Sequence, residues 1–217
     1  MTTPVIVAID GPAAAGKGTL ARRLAEALGL PYLDTGLLYR ATGRRVLDAG
    51  ANPADPVAAE AAARAMRAED TRRGDLRGPV ADAAAAAVAA IPAVRAALLD
   101  FQRDFARANG AVLDGRDIGT VIFPDAKVKI FVTASLAARA RRRWLELEAK
   151  GTPAPYEQVE ADMRARDAQD AARAAAPLKA ADDAVVLDTT EMDAGAVFAR
   201  ALAVVGERVG RLTPKFP

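Results

Sequence analysis

Nine consecutive residues, Gly11-Pro12-Ala13-Ala14-Ala15-Gly16-Lys17-Gly18-Thr19, carry the densest chemistry in this 217-residue chain. Two glycines separated by four residues, with Lys17 after the second, let backbone N–H groups curl around an oligophosphate while the ammonium reaches its outer phosphates. An apolar run, residues 5–9, leads directly into the loop, and residues 20–28 repeat at helical spacing behind it. That strand–loop–helix order places a helix N-terminus, with its partial positive charge, beneath the bound anion. A Gly-rich turn with no ligand is the bland alternative. Gly18 stands where many phosphate loops use Ser or Thr to hold magnesium, and Thr19 comes one residue later. The metal is therefore expected to be held more by water and phosphates than by the loop.

Fixed cations are plentiful beyond the loop: Arg40, Arg95, Arg116, Arg139, Arg143, Arg166 and Arg173. Guanidinium forks bind phosphate oxygens bidentately, so this supply suits a second anion. Arg166, Asp170 and Arg173 recur at i, i+4 and i+7 and would share one helix face; an exposed helix with internal ion pairs explains the same spacing. Asp114, after an apolar run, reads as a strand-end acid that orients the waters of magnesium, with capping of the following turn as the structural alternative. Tyr39, beside Leu37 and Leu38, reads as core, and Arg141 and Arg142 as including a merely solvated residue. The chain has neither His nor Cys, which excludes disulfides, the usual zinc sites, Ser-His-Asp and Cys-His nucleophiles and the commonest general base. A net charge of +2 gives no reason to expect a nucleic-acid polymer as partner.

The elements that must position these groups are legible from pattern. Strands are expected at residues 5–9, 31–33, 111–113, 128–132 and 184–187, with helices over 17–29, ended by Gly29, and 36–49 before Gly50. Alternation of strand and helix means a parallel sheet with helices on both faces. Ligands of such a sheet lie at the carboxyl ends of its strands, where Asp10-Gly11, Asp34-Thr35-Gly36 and Asp114-Gly115-Arg116-Asp117 fall. Residues 52–109 read as several short helices, their Ala run 83–87 suited to close packing. A helical hairpin over 135–150 and 156–173, with Ser135 as N-cap, and a closing helix at 194–209 complete the chain. No run of about eighteen apolar residues occurs, and Met1-Thr2-Thr3-Pro4 opens onto the first strand, so neither membrane span nor targeting segment is expected.

The string Leu113-Asp114-Gly115-Arg116-Asp117-Ile118-Gly119-Thr120-Val121-Ile122-Phe123-Pro124-Asp125 resembles bacterial cytidylate kinases. So do Tyr32-Leu33-Asp34-Thr35-Gly36-Leu37-Leu38-Tyr39-Arg40, Val128-Lys129-Ile130-Phe131-Val132-Thr133-Ala134-Ser135, and Arg166-Asp167 through Ala174-Ala175-Ala176-Pro177-Leu178. Gly-Lys-Gly-Thr is likewise the loop variant associated with nucleoside monophosphate kinases. The resemblance spans residues 5–50, 91–150 and 160–192. It implies a P-loop kinase of one domain, 1–217, with a helical acceptor-binding insert at about 51–109 and a helical-hairpin lid at about 139–173. The implied activity is Mg2+-dependent transfer of the γ-phosphoryl of ATP to CMP or dCMP in pyrimidine nucleotide metabolism, by a cytoplasmic monomer.

The same likeness distributes roles. Gly11 to Thr19, with Lys17, would take the ATP phosphates; Arg139, Arg143 and Arg166 belong to the lid, and Arg139 and Arg143 would bind ATP from it. Arg40, Arg116 and Arg173 would hold the acceptor phosphate, Asp170 the sugar hydroxyls, and Arg95 with Asp117 the cytosine edge; Thr35 would support the acceptor. Lys17, Arg116, Arg166 and Arg173 form the catalytic set. A phosphate monoester is already a nucleophile, which agrees with a chain that has no histidine. Three departures stand out. A Ser that helps read cytosine in relatives falls at Ala86, and Gln169 stands where relatives often place another Arg; the insert also looks shortened and helical. Rival readings are a kinase for UMP, another nucleoside monophosphate or shikimate, a GTP-binding switch, for which no guanine-reading motif is found, and a non-enzymatic nucleotide-binding subunit.

Overall fold

The computed structural model describes residues 4–107, 109–174 and 176–210, so Met1, Thr2, Thr3 and Ala175 lie outside the described residues. Fifteen elements follow in chain order. They are β1 (Ile6–Asp10), α1 (Lys17–Leu28), β2 (Tyr32–Asp34), α2 (Thr35–Asp48), α3 (Pro56–Arg64), a 3-10 turn (Ala68–Arg72), α4 (Pro79–Ala89), α5 (Pro92–Arg107), β3 (Ala111–Gly115), a π-helical segment (Ile118–Ile122), β4 (Val128–Thr133), α6 (Leu136–Ala149), α7 (Tyr156–Ala171), β5 (Val185–Asp188) and α8 (Ala194–Val209). The strands form one five-stranded sheet in the order β2-β3-β1-β4-β5. β1 pairs in parallel with β3 and β4, and β4 with β5. The α/β class and the five strands are those the sequence indicates. No single helix among the described residues is long and apolar enough to cross a membrane.

Two compact units divide the chain, one of residues 1–32 with 109–217, the other of residues 33–108. In the first, Val7, Ile9, Val112, Val128, Ile130 and Val132 are buried against Leu20, Ala21 and Leu24 of α1 and Val197, Ala201 and Val204 of α8. These strands are apolar at successive positions because both faces are covered, the mark of a parallel sheet. Gly29 ends α1 in the left-handed conformation at φ 62°, its N–H reaching the carbonyls of Ala25 and Glu26.

The second unit is helical. Asp34 caps α2 by accepting from the Leu37 N–H, and Asp55 caps α3 ahead of Pro56. α4 buries Ala81, Ala84, Ala85 and Val88, and a Cβ placed on Gly43 of α2 would stand 2.8 Å from the Ala84 backbone. The Ala run therefore permits two helices to approach at backbone distance.

Candidate active site

Within the first unit, β1 ends on Asp10 and the chain turns at Gly11, whose φ of 145° suits glycine and whose place beside the Val132 carbonyl leaves no room for a Cβ. Ala14 and Gly16 also take positive φ, so the loop curls before α1 begins at Lys17. Its carbonyls are engaged from outside. Lys17 Nζ donates to the Pro12 carbonyl at 2.7 Å, the Arg139 guanidinium to that of Ala13 at 3.4 Å, and Thr189 Oγ1 to that of Ala15 at 3.2 Å. At the loop's end the first N–H groups of α1, those of Lys17, Gly18 and Thr19, have no acceptor within the helix. A curled loop with tethered carbonyls and a helix N-terminus behind it is an anion cradle.

Lys17 is only 6% exposed. Burial and the positive charge of Arg116 hold its ammonium down to about 7, against the pull of Asp114 and Asp10. Asp114, at the end of β3, accepts from the Tyr32 hydroxyl at 2.9 Å, and its Oδ2 lies 3.6 Å from where a Cβ on Gly18 would stand. Gly18 thus leaves space between loop and carboxylate. No group of three or more His, Cys, Asp or Glu side chains able to hold a metal occurs among the described residues. The Asp114 carboxylate beside the space at Gly18 fits a hard cation that keeps its waters and takes substrate phosphates as ligands.

An arginine–carboxylate cluster lies in the same unit. Asp170, near the end of α7 and 2% exposed, accepts from Arg116 Nε at 2.9 Å and pairs with the Arg173 guanidinium. Burial would raise its carboxyl, but Arg116 and Arg173, with Arg166 adding, hold it below the usual carboxylate range. The expected face of Arg166, Asp170 and Arg173 needs one correction. α7 stops at Ala171 with Ala172 as C-cap, so Arg173 lies outside the helix. The Leu178 N–H takes the Asp170 carbonyl, turning the chain away, and the ion pair brings Arg173 back to Asp170.

Arg139 is buried on α6 and satisfied on three sides: it donates to the carbonyls of Ala134 and Ala13 and makes a bidentate bond, 3.1 and 2.6 Å, to Asp167 of α7. It joins the hairpin to the phosphate loop, whose Ala13 and Ala14 also pack on the hairpin's Ala140, Val159 and Met163. Arg143 pairs with Glu146 at 3.0 Å. Arg141 is exposed, as a solvated residue would be, but Arg142 donates to Thr189 Oγ1 at 3.0 Å and to the Thr189 carbonyl.

Beside the loop lies a cavity of about 220 Å3 lined among others by Gly16, Thr19, Arg23, Arg142, Thr189 and Val197. Neither Thr189 nor this cavity was legible in the sequence. Asp10 and Asp167 were visible only as members of larger strings, since their partners lie far along the chain.

The second unit holds the other expected acceptor residues. Thr35 is buried at the start of α2, and Arg40 Nε donates to Asp82 of α4 at 2.9 Å. The Arg95 guanidinium stands 5.7 Å from the centre of the Tyr39 ring, which is half-buried rather than core.

The cytidylate kinase family model matches residues 7–207. The cytidylate kinase of Acidiphilium cryptum is 61% identical over 211 residues, covering 97% of this chain and 100% of its own length. That of Granulibacter bethesdensis is 62% identical over 201 residues, 93% of this chain and 96% of its own. Among solved structures, a gluconokinase from Sinorhizobium meliloti reaches a TM-score of 0.50 at 13% identity, covering 95% of this chain and 94% of that one. A protein of Thermus thermophilus reaches 0.51 at 23%, covering 96% and 99%. These two likenesses speak for the fold alone. With the match running through the phosphate loop, the Arg116-Asp117 turn and the hairpin, the chain belongs to the cytidylate kinase family.

Proposed function

We propose that this chain is an ATP:(d)CMP phosphotransferase, giving CDP or dCDP and ADP. The observation that carries it is near full-length identity of about three residues in five to named cytidylate kinases, together with an anion cradle and an arginine cluster in one compact unit. ATP places its phosphates on the loop N–H groups and Lys17, and its base in the cavity lined by Thr189 and Arg142. CMP presents its phosphate to Arg116 and Arg173, with Arg40, and its sugar hydroxyls to Asp170; Thr35, Arg95 and Asp117 complete the acceptor contacts. Asp170 and Asp167 neutralise Arg116, Arg173 and Arg139 when no nucleotide is present.

Phosphoryl transfer needs positioning and charge neutralisation rather than a base. A dianionic acceptor phosphate supplies its own nucleophilic oxygen, and Lys17, Arg116, Arg166 and Arg173 offset the charge that accumulates as it attacks in line. Mg2+, when bound to the ATP phosphates, supplies further charge neutralisation, with Asp114 orienting its waters. The α6–α7 hairpin closes over the phosphates and excludes water, so that the phosphoryl group passes to CMP rather than to solvent. We infer that the enzyme acts as a monomer on free cytoplasmic nucleotides.

ADP release from ATP, measured with each nucleoside monophosphate as acceptor, tests the reading. CMP and dCMP are expected to be the preferred acceptors. Lys17→Ala should lower turnover by several orders of magnitude with the fold retained, and near-normal activity in that variant would overturn the assignment.

A further inference from the structure

Asp117 occupies the N-cap position of the π-helical segment Ile118–Ile122, yet its side chain makes no capping bond. The segment's hydrogen bonds run from the Ile122 N–H to the Asp117 carbonyl at 3.2 Å and from the Phe123 N–H to that of Ile118 at 2.7 Å. Its opening N–H groups, at Ile118 and Gly119, therefore need acceptors from elsewhere. Asp10 supplies both: Oδ1 accepts from Ile118 at 2.8 Å and Oδ2 from Gly119 at 2.7 Å. The carboxylate is 5% exposed, and Gly119 fits because a Cβ there would stand 3.3 Å from Asp10 Oδ2 and 3.2 Å from the Lys129 stem.

A buried carboxylate held by two N–H groups is a costly device for closing one turn, and an aspartate at the N-cap itself usually does that work. Its placement suggests why it is used. Asp10 immediately precedes Gly11 of the phosphate loop, and the turn it fastens begins with Arg116 and Asp117. Capping of the segment is thus done by Asp10 from β1 rather than by Asp117 at its own N-cap. The donor loop and the segment carrying Arg116 and Asp117 are thereby fixed to one anchor at the end of β1.

We propose that Asp10 is a positioning residue for the acceptor: by capping the Ile118–Ile122 segment from β1, it sets Arg116 and Asp117 in register with the phosphate loop. This rests on the reading of the chain as a (d)CMP kinase. Asp10→Asn keeps one accepting oxygen and turns an N–H2 toward the other N–H, so the turn loses one charge-assisted bond and gains a donor–donor contact.

The test compares wild type, Asp10→Asn and Asp10→Glu in the ADP-release assay, with calorimetric binding of CMP and of ATP measured separately. Asp10→Asn is expected to raise KM and Kd for CMP about tenfold, the scale of losing roughly one hydrogen bond to a charged group, while those for ATP change less than about twofold. Asp10→Glu, which restores the charge one methylene away, should recover part of the loss. If Asp10→Asn does not fold, the same split is read from Asp10→Glu against wild type. Unchanged CMP constants, or CMP and ATP constants rising in parallel, would overturn the proposal. Wild-type enzyme inactive with every nucleoside monophosphate would instead defeat the functional reading itself, a different outcome.

Discussion

Lys17 is a buried ammonium that donates a hydrogen bond to a loop carbonyl, that of Pro12. Its folded-state pKa, down to about 7 from 10.5, lies below its unfolded value, so the ligand-free fold favours the neutral amine above that pH. An oligophosphate reverses this, because a nearby opposite charge favours the ammonium. The sign follows: between about pH 7 and 10, ATP binding takes up a proton and weakens by roughly tenfold per pH unit at most. Calorimetry at pH 8 in two buffers of different ionisation enthalpy should register an uptake approaching one proton per ATP, absent in Lys17→Met. No uptake in wild type would mean that the amine is already charged without ligand. By the same linkage, the ligand-free chain should gain stability as pH rises from about 7 toward 10, and Lys17→Met should lack that gain. Lys17 was legible because its loop is a local motif. The partners that tune it were not, since Arg116 and Asp114 reach it only through the pairing of β1 with β3.

Between elements, α2 and α4 of the second unit approach each other closely at Gly43 and Ala84. A methyl group on Gly43 would stand 2.8 Å from both the carbonyl carbon and the Cβ of Ala84, and backbone cannot step aside as a side chain can. Alanine is the better helix former by about 1 kcal/mol, whereas overpacking a tight contact costs about 1–3 kcal/mol. The collision is expected to win, so Gly43→Ala should lower the urea midpoint with an unchanged m-value. A more stable variant would mean that the helices part without cost. The helices themselves were readable from periodicity and caps, and Gly29, Ser135 and Asp34 end or begin them as their residue types suggest. The π-helical segment was not readable. Four of its five residues, Ile118, Thr120, Val121 and Ile122, are β-branched, and the cap that lets the segment coil comes from Asp10, 108 positions away.

Over the whole chain, alternation of strand and helix was enough to foresee a parallel five-stranded sheet, but not its order. Placing β3 between β2 and β1 depends on the registers of Ile6 with Ala111 and Asp10 with Gly115, contacts between segments about a hundred residues apart. The residues proposed for the acceptor are scattered along the sequence: Thr35, Arg40 and Arg95 precede β3, whereas Arg116, Asp117, Asp170 and Arg173 follow it. Base selection spread over many contacts should respond to one residue by a modest factor rather than by loss. Ala86 is the position that tests this. It lies one helical turn beyond Asp82 on α4, on the face from which Asp82 meets Arg40 at 2.9 Å. A hydroxyl there is expected to add one hydrogen bond to the base edge, about 1 kcal/mol, or roughly a fivefold gain in CMP over UMP measured as the ratio of kcat/KM values. The KM for ATP should stay constant in Ala86→Ser, because the phosphate loop and its cavity belong to the other unit. A ratio unmoved by the hydroxyl would remove Ala86 from the residues that face the base and leave the discrimination to Arg95 and Asp117.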